Sequence, residues 1–384
     1  MGGETITLSL CGDVMLGRGV DQILPNAGHP RLSEPFVRDA RAYLDLAERV
    51  NGPIPRPVGF PWPWGEALSV LGAVAPDVRI INLETSVTRS DEFAPGKSVH
   101  YRMSPGNIAA LVAGKPDVCA LANNHILDFG RSGLAETLDT LAGAGLDGAG
   151  AGLDATAAER PVAVRVRTSS ASDAATATQV VVYAIGSPSS GIDHDWRAGP
   201  DRPGIGLVDL SETGAASLAA RIGAAKHSGD LVVVSIHWGG NWGYDIPAEH
   251  VEFAHRLIDA GVDLVHGHSS HHPRPVEVYR GKLVLYGCGD FINDYEGIAG
   301  HDDYRDDLRL LYLATLHVPT GALMALRMVP MRARRMRLEY ASDADAMWLA
   351  STLDEVSADH GVRVRRAALD MPGGAVAALA ADFA

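Results

Sequence analysis

The chain has 384 residues, 46% of them hydrophobic, enough to bury a sizeable core in one large α/β domain with insertions. Its formal net charge of -14 argues against a nucleic-acid surface, which needs clustered Lys and Arg, and no apolar run reaches the roughly 18 to 20 residues of a membrane helix. Cys11, Cys119 and Cys288 each lie in or beside an apolar run and read as buried reduced thiols, so a cytoplasmic, unexported protein without membrane or nucleic-acid partners is expected.

Residues 5 to 11 alternate as a strand does and deliver Asp13 into Gly12-Asp13-Val14-Met15-Leu16-Gly17-Arg18-Gly19, where glycines permit a tight turn. The Gly-Lys-Ser/Thr ending of a P-loop is absent there. From about 22 to 66, prolines such as Pro53, Pro55, Pro57, Pro61 and Pro63 exclude a long helix. That stretch reads as a wrapping loop that either buries Trp62 and Trp64 or offers them as a wall of a substrate pocket. Next come a helix over 66 to 75, a strand ending at Glu84, a short helix from Asn107, a strand to Leu121 and a helix through Leu134 to Leu141 that stops at Gly143 and Gly145. The glycine-rich run Gly145 to Gly152 lacks the strand-to-helix order of a dinucleotide fingerprint. Strands at 161 to 167 and 179 to 185 flank a Ser/Thr/Ala-rich stretch, 168 to 178, read as a mobile hairpin tip. After a loop over 193 to 206, a helix at 213 to 227 leads to the strand ending at His237, and a helix at 247 to 260 leads to the strand ending at His266. A hairpin turns at Arg280-Gly281-Lys282, and strands at 308 to 317 and 322 to 330 complete a domain spanning 1 to 340. The Ala-rich tail, 341 to 384, is expected to be a helical extension packed on that domain.

Five apolar runs end in polar donors: Asp13, Asn82 with Glu84, Asn123 with Asn124 and His125, His237, and His266 with His268. Ligands of open α/β sheets gather at such strand tips, so these groups are expected to converge. His266, His268, His271 and His272 lie within seven residues. Imidazoles mixed with carboxylate and amide oxygens point to a divalent ion, and without a cysteine pair the centre reads as catalytic rather than as structural zinc.

Gly12-Asp13-Val14-Met15, Asn82-Leu83-Glu84-Thr85, Asn123-Asn124-His125, His237-Trp238-Gly239 and Gly267-His268-Ser269-Ser270-His271 resemble, in order and spacing, the CapA family of poly-γ-glutamate capsule proteins, over about residues 5 to 300. The resemblance implies a metallophosphatase-like αββα sandwich, two mixed sheets flanked by helices. It implies that Asp13, Glu84, Asn124, His237, His268 and His271 hold one or two divalent ions (Mn, Ca, Zn or Fe), with Glu84 bridging and His125 as acid/base. Met15 and Glu84 stand where metallophosphatases carry His and Asp.

The family's unanchored branch includes a lasso-peptide epimerase. The expected activity is therefore metal-dependent inversion of a Cα centre in a ribosomal precursor peptide, with a leader-binding protein as a second partner. Phosphoester hydrolysis and CapA-type polymer synthesis are the alternatives, and a metal-stabilised binding module is a non-enzymatic one. For epimerisation His125 is the base, with His237, His271, His272 or Asp294 across the site and Trp62, Trp64, Trp238, Trp242 and Tyr244 as an aromatic wall. For hydrolysis Arg18, Lys97 and Arg102 would receive the phosphate oxygens.

Overall fold

In the computed structural model, residues 4–166 and 178–383 are described, so the expected hairpin tip lies outside the described residues except for Thr178. Two sheets dominate. The larger is centred on the strand Thr5–Val14, which pairs in parallel with Val78–Leu83 and antiparallel with Leu308–His317. In the smaller, Leu231–His237 lies between Thr178–Gly186 and Leu264–His268, all parallel.

Period-two alternation decides the layers. In Leu231–His237, Leu231 and Val233 pack between the sheets with Leu8, Leu10, Val78 and Ile80 of the larger sheet. Val232, Val234 and Ile236 face the other way, against Leu218 of the helix Glu212–Ala225 and Phe253 of Ala248–Asp259. On the far side, Ile81, Leu83 and Leu121 meet Leu44, Leu71 and Leu134 of flanking helices. The result is a helix, sheet, sheet, helix sandwich, as the resemblance implied. All three cysteines are buried and free.

One irregularity creates the site. By alternation Asp13 would follow Cys11 outward, but the register shifts between Leu10 and Asp13, sending Val14 to the helix-facing core and Asp13 to the space between the sheets. Gly12 occupies the bulge because the chain is pressed against a second strand: an added Cβ there would sit 1.6 Å from the Gly289 carbonyl oxygen. Gly12→Ala must move backbone, and we expect it to cost about 3 kcal/mol or more, read as a lower Tm by calorimetry. An unchanged Tm would show that the two strands are not in contact.

Two expectations are corrected. The helix Arg41–Asn51 lies inside the proline-rich stretch, because no proline falls between Pro35 and Pro53. The tail is helical over Asp343–Ser357, opened by a capping box of Ser342 and Asp345, and in the 3-10 turn Ala358–His360 that follows it. Beyond it, Val362–Leu369 and Val376–Phe383 form a hairpin that joins the larger sheet at Ala322–Ala333. Val362 and Val364 are buried while Arg363 and Arg365 are exposed, a strand alternation that the alanine content obscures.

Candidate metal centre

The tips of parallel strands from both sheets meet between the layers. His237 and His268 are register partners at the ends of their strands, and their Nδ1 atoms lie 2.8 Å apart. Ligand atoms of Asp13, His237 and His268 lie within 4.8 Å of one another, and so do those of Asp13, His271 and Asp290. Asp13, rather than Glu84, is therefore the residue common to both groups. The Asn82 amide donates to Asp13 Oδ1 at 2.8 Å and to Glu84 Oε2 at 3.0 Å, and Asn123 in turn donates to Asn82 Oδ1 at 3.0 Å. These amides fix the carboxylates, and Glu84 Oε2 lies 3.8 Å from His237 Nδ1.

The electrostatics call for a cation. Burial pushes the Asp13 and Glu84 carboxyls up, and the charge of Asp290 pushes both further. Burial drives His237 and His268 well below the usual imidazole range. Burial also opposes a charge on His271, but Asp290, whose Oδ1 is 2.9 Å from its Nδ1, outweighs that and leaves it raised. Asp13 Oδ2, Asn124 Oδ1 and His237 Nε2 are buried without a hydrogen-bond partner. Buried carboxylates, neutral imidazoles and orphaned acceptors together fit a divalent ion, whose charge would reverse each of these penalties.

His125 faces the same space, with Nε2 3.8 Å from Glu84 Oε1. Its Nδ1–H donates to Asp128 Oδ2 at 2.7 Å, which leaves the Nε2 lone pair toward the centre. Burial lowers its pKa to about 4, against the pull of Asp128. Lys97 holds the other Asp128 oxygen and also donates to the Asn124 carbonyl.

A sequence model of the bacterial capsule synthesis protein PGA_cap matches residues 7–295, a span that holds every donor named above. The chain belongs to this family. It is similar to the probable polyglutamine synthesis accessory proteins of two Mycobacterium tuberculosis strains, 53% identical over 363 residues, which cover 94% of this chain and 93% of each relative. It is also similar to the PGA biosynthesis protein CapA of Bacillus subtilis, 25% identical over 292 residues, 76% of this chain and 64% of that protein. Among the described residues no helix is long and apolar enough to cross a membrane.

For this capsule-synthesis family member, the structure gathers Asp13, Glu84, His125, His237, His268 and His271, and adds Asp290, Asp128, Asn82 and Asn123. Asp290 sits on the short strand Asp290–Ile292, parallel to Thr5–Val14 and in register with Asp13. Its signal was a repeat, Cys11-Gly12-Asp13 and Cys288-Gly289-Asp290. Asp128 follows His125 by three residues, spaced for the bond it makes.

Other expected residues are committed elsewhere. Asp294 spends both oxygens on the Arg18 guanidinium and the Gly19 amide, which corrects its assignment as an acid/base partner. Arg18 is buried with Asp294 and Glu34, between the rings of Tyr43 and Tyr101 at 3.8 and 4.3 Å. Arg102 binds Asp91 and the carbonyls of Ser90 and His29. With Lys97 on Asp128, the three cations expected for phosphate oxygens are already paired. Trp64 donates to the Ala110 carbonyl and Trp238 stacks on Tyr286 and His250, each 1% exposed, so both are core and not wall. Trp62 donates to the Arg335 carbonyl and lies beneath Arg337. Of that wall Trp242 comes close, its ring 5.3 Å from His271 and stacked on His301. His272 joins neither donor group; it is buried against Trp242, Tyr244 and Tyr304, its Nδ1–H on the Pro273 carbonyl.

Proposed function

We propose that this protein is a metal-dependent enzyme of poly-amino-acid capsule assembly, working at an amide carbonyl of a glutamate-containing polymer. The observation that carries this is the set of buried, under-neutralised donors around Asp13 beside the His125–Asp128 pair. The names of the relatives, polyglutamine synthesis accessory protein and PGA biosynthesis protein, support the substrate class and favour it over a lasso precursor peptide. The pairing of Arg18, Lys97 and Arg102 weighs against phosphoester hydrolysis.

One or two divalent ions held by Asp13, Glu84, Asn124, His237, His268, His271 and Asp290 would supply Lewis-acid polarisation of the carbonyl. His125 Nε2 takes the proton of the attacking water or amine and returns it to the leaving nitrogen. Asp128 keeps the imidazole in that tautomer and stabilises its cation, while Lys97 holds Asp128 in place. Trp242 borders the centre on the His271 side and helps exclude water.

The test is chelated protein incubated with poly-γ-glutamate, with and without added Mn, Zn, Fe or Ca, the chain length followed by mass spectrometry. Ion-dependent change in chain length is expected, slowed about 10²-fold to 10⁴-fold in His125→Asn. Chain length unaltered with every ion, or altered equally after chelation, would overturn the reading.

A further inference from the structure

Beside the donor cluster lies a second feature that the proposed chemistry does not use, a cavity of about 430 Å³ walled by Tyr295 and floored by Arg309. It adjoins the centre through two contacts. The Tyr295 ring lies 5.3 Å from that of His271. Asn293 joins Arg309 to Asp290, accepting from the guanidinium at 2.9 Å and donating to the carboxylate at 2.6 Å.

Most charges around this cavity are already answered. Glu296 accepts the backbone amides of Arg335 and Met336 and the Asn51 side chain. Arg305 and Arg332 are spent on Asp307 and Asp345. Besides the solvent-exposed Asp302, two groups are left over. Arg309 is 1% exposed and its Nε has no partner, although its other nitrogens bind Asn293 and the carbonyls of Asp306 and Leu308. The Asp306 carboxylate makes no hydrogen bond or ion pair among the described residues, and burial raises it although Arg309 is close enough to pull it down. Arg309, with its unanswered guanidinium N–H, and Asp306, with its unanswered carboxylate, therefore line one cavity, whose rim is apolar at the exposed Val50 and Ile298.

We infer that this cavity binds the zwitterionic Cα of an α-amino acid, its carboxylate on Arg309 and its ammonium on Asp306. A paired ammonium and carboxylate on one carbon occur in a free amino acid and at the amino end of a chain joined through its side chains. An ordinary peptide end lacks one or the other. The ligand class rests on the cavity alone; the role of subsite to the centre rests on the function proposed above.

The experiment is calorimetry on the full chain with L-glutamate, N-acetyl-L-glutamate and the α-amide of glutamate, then with γ-linked and α-linked tetraglutamate. L-Glutamate is expected to bind at least tenfold more tightly than either derivative that lacks one charge. Asp306→Asn, half-buried and isosteric, is expected to weaken it at least tenfold without altering the Tm or ion binding at the centre. Preference for the γ-linked tetramer over free glutamate assigns the chain end as ligand, and the reverse assigns the free amino acid. No saturable heat with L-glutamate or the γ-linked tetramer at millimolar concentration, equal binding of N-acetyl-L-glutamate, or an Asp306→Asn protein that binds as before would overturn the assignment. Glutamate binding in a chain that takes up no ion would refute the function proposed above and leave this site standing.

Discussion

Asp13→Asn is expected to empty the whole centre, whereas His237→Ala and Asp290→Asn each disable one end of it. Asp13 is the residue shared by the two donor groups, and its Oδ1 is already positioned by Asn82 while Oδ2 has no partner. An asparagine keeps the shape and the Asn82 contact of one oxygen but removes the charge that both groups depend on. We expect at least a 100-fold loss of divalent-ion affinity, since even residues behind a ligand are worth about 10-fold to 100-fold. In His237→Ala the group of His271 and Asp290 survives, and in Asp290→Asn that of His237 and His268 survives. Elemental analysis after dialysis should therefore give two reduced stoichiometries and one near zero. The same loss appears in stability: an ion present at 100 times its Kd adds about 2.7 kcal/mol, so its benefit to the Tm should vanish in Asp13→Asn. An Asp13→Asn protein that retains its ions would remove the centre from the proposal.

The central strands were legible because a parallel strand buried on both faces is a short apolar run, and its tip is where the polarity changes. Val232 to His237 and Leu264 to His268 are of this kind, so the sequence pattern alone placed their histidines at one sheet edge. Asp290 escaped because its strand has three residues, too few for a pattern, and its pairing with Asp13 is made across most of the chain. Arg18 and Asp294 escaped for the same reason: separated by 276 positions, each looked like a free charge, and together they neutralise one another. The tryptophans failed differently. Large aromatics serve cores and pockets alike, and whether Trp238 faces His250 or a ligand depends on the side of the strand end it leaves from. The tail misled through composition, since alanine favours helix but strand alternation with arginine decided the outcome.

The ion-free protein is expected to lose most of its stability between pH 6.5 and pH 5. Burial holds His125, His250, His266 and His272 at about 4, and His237 and His268 well below the usual imidazole range, so all six stay neutral in the fold. In the unfolded chain they titrate near 6.5. A group whose folded pKa is depressed in this way takes a proton on unfolding, so its contribution is complete above the unfolded pKa and drains away as pH falls toward the folded one. At pH 5 each costs about 2 kcal/mol, and four of them match the total stability of about 5–15 kcal/mol that a domain possesses. Asp13, Glu84 and His271 act in the opposite sense: their raised pKa values favour the ion-free fold at low pH, an advantage lost as pH rises through the folded values. Three raised groups set against six depressed imidazoles leave the acid side dominant. A divalent ion needs those carboxylates charged and the imidazoles neutral, so it should add stability above pH 6 and none near pH 4. Melting curves from pH 4 to 8, with chelator and with Mn, test both halves. A Tm that stays level from pH 7 to 5 would show that these imidazoles are not held neutral by burial. His250→Gln, stacked beneath Trp238 and outside the donor groups, should shift the acid midpoint downward without changing ion affinity.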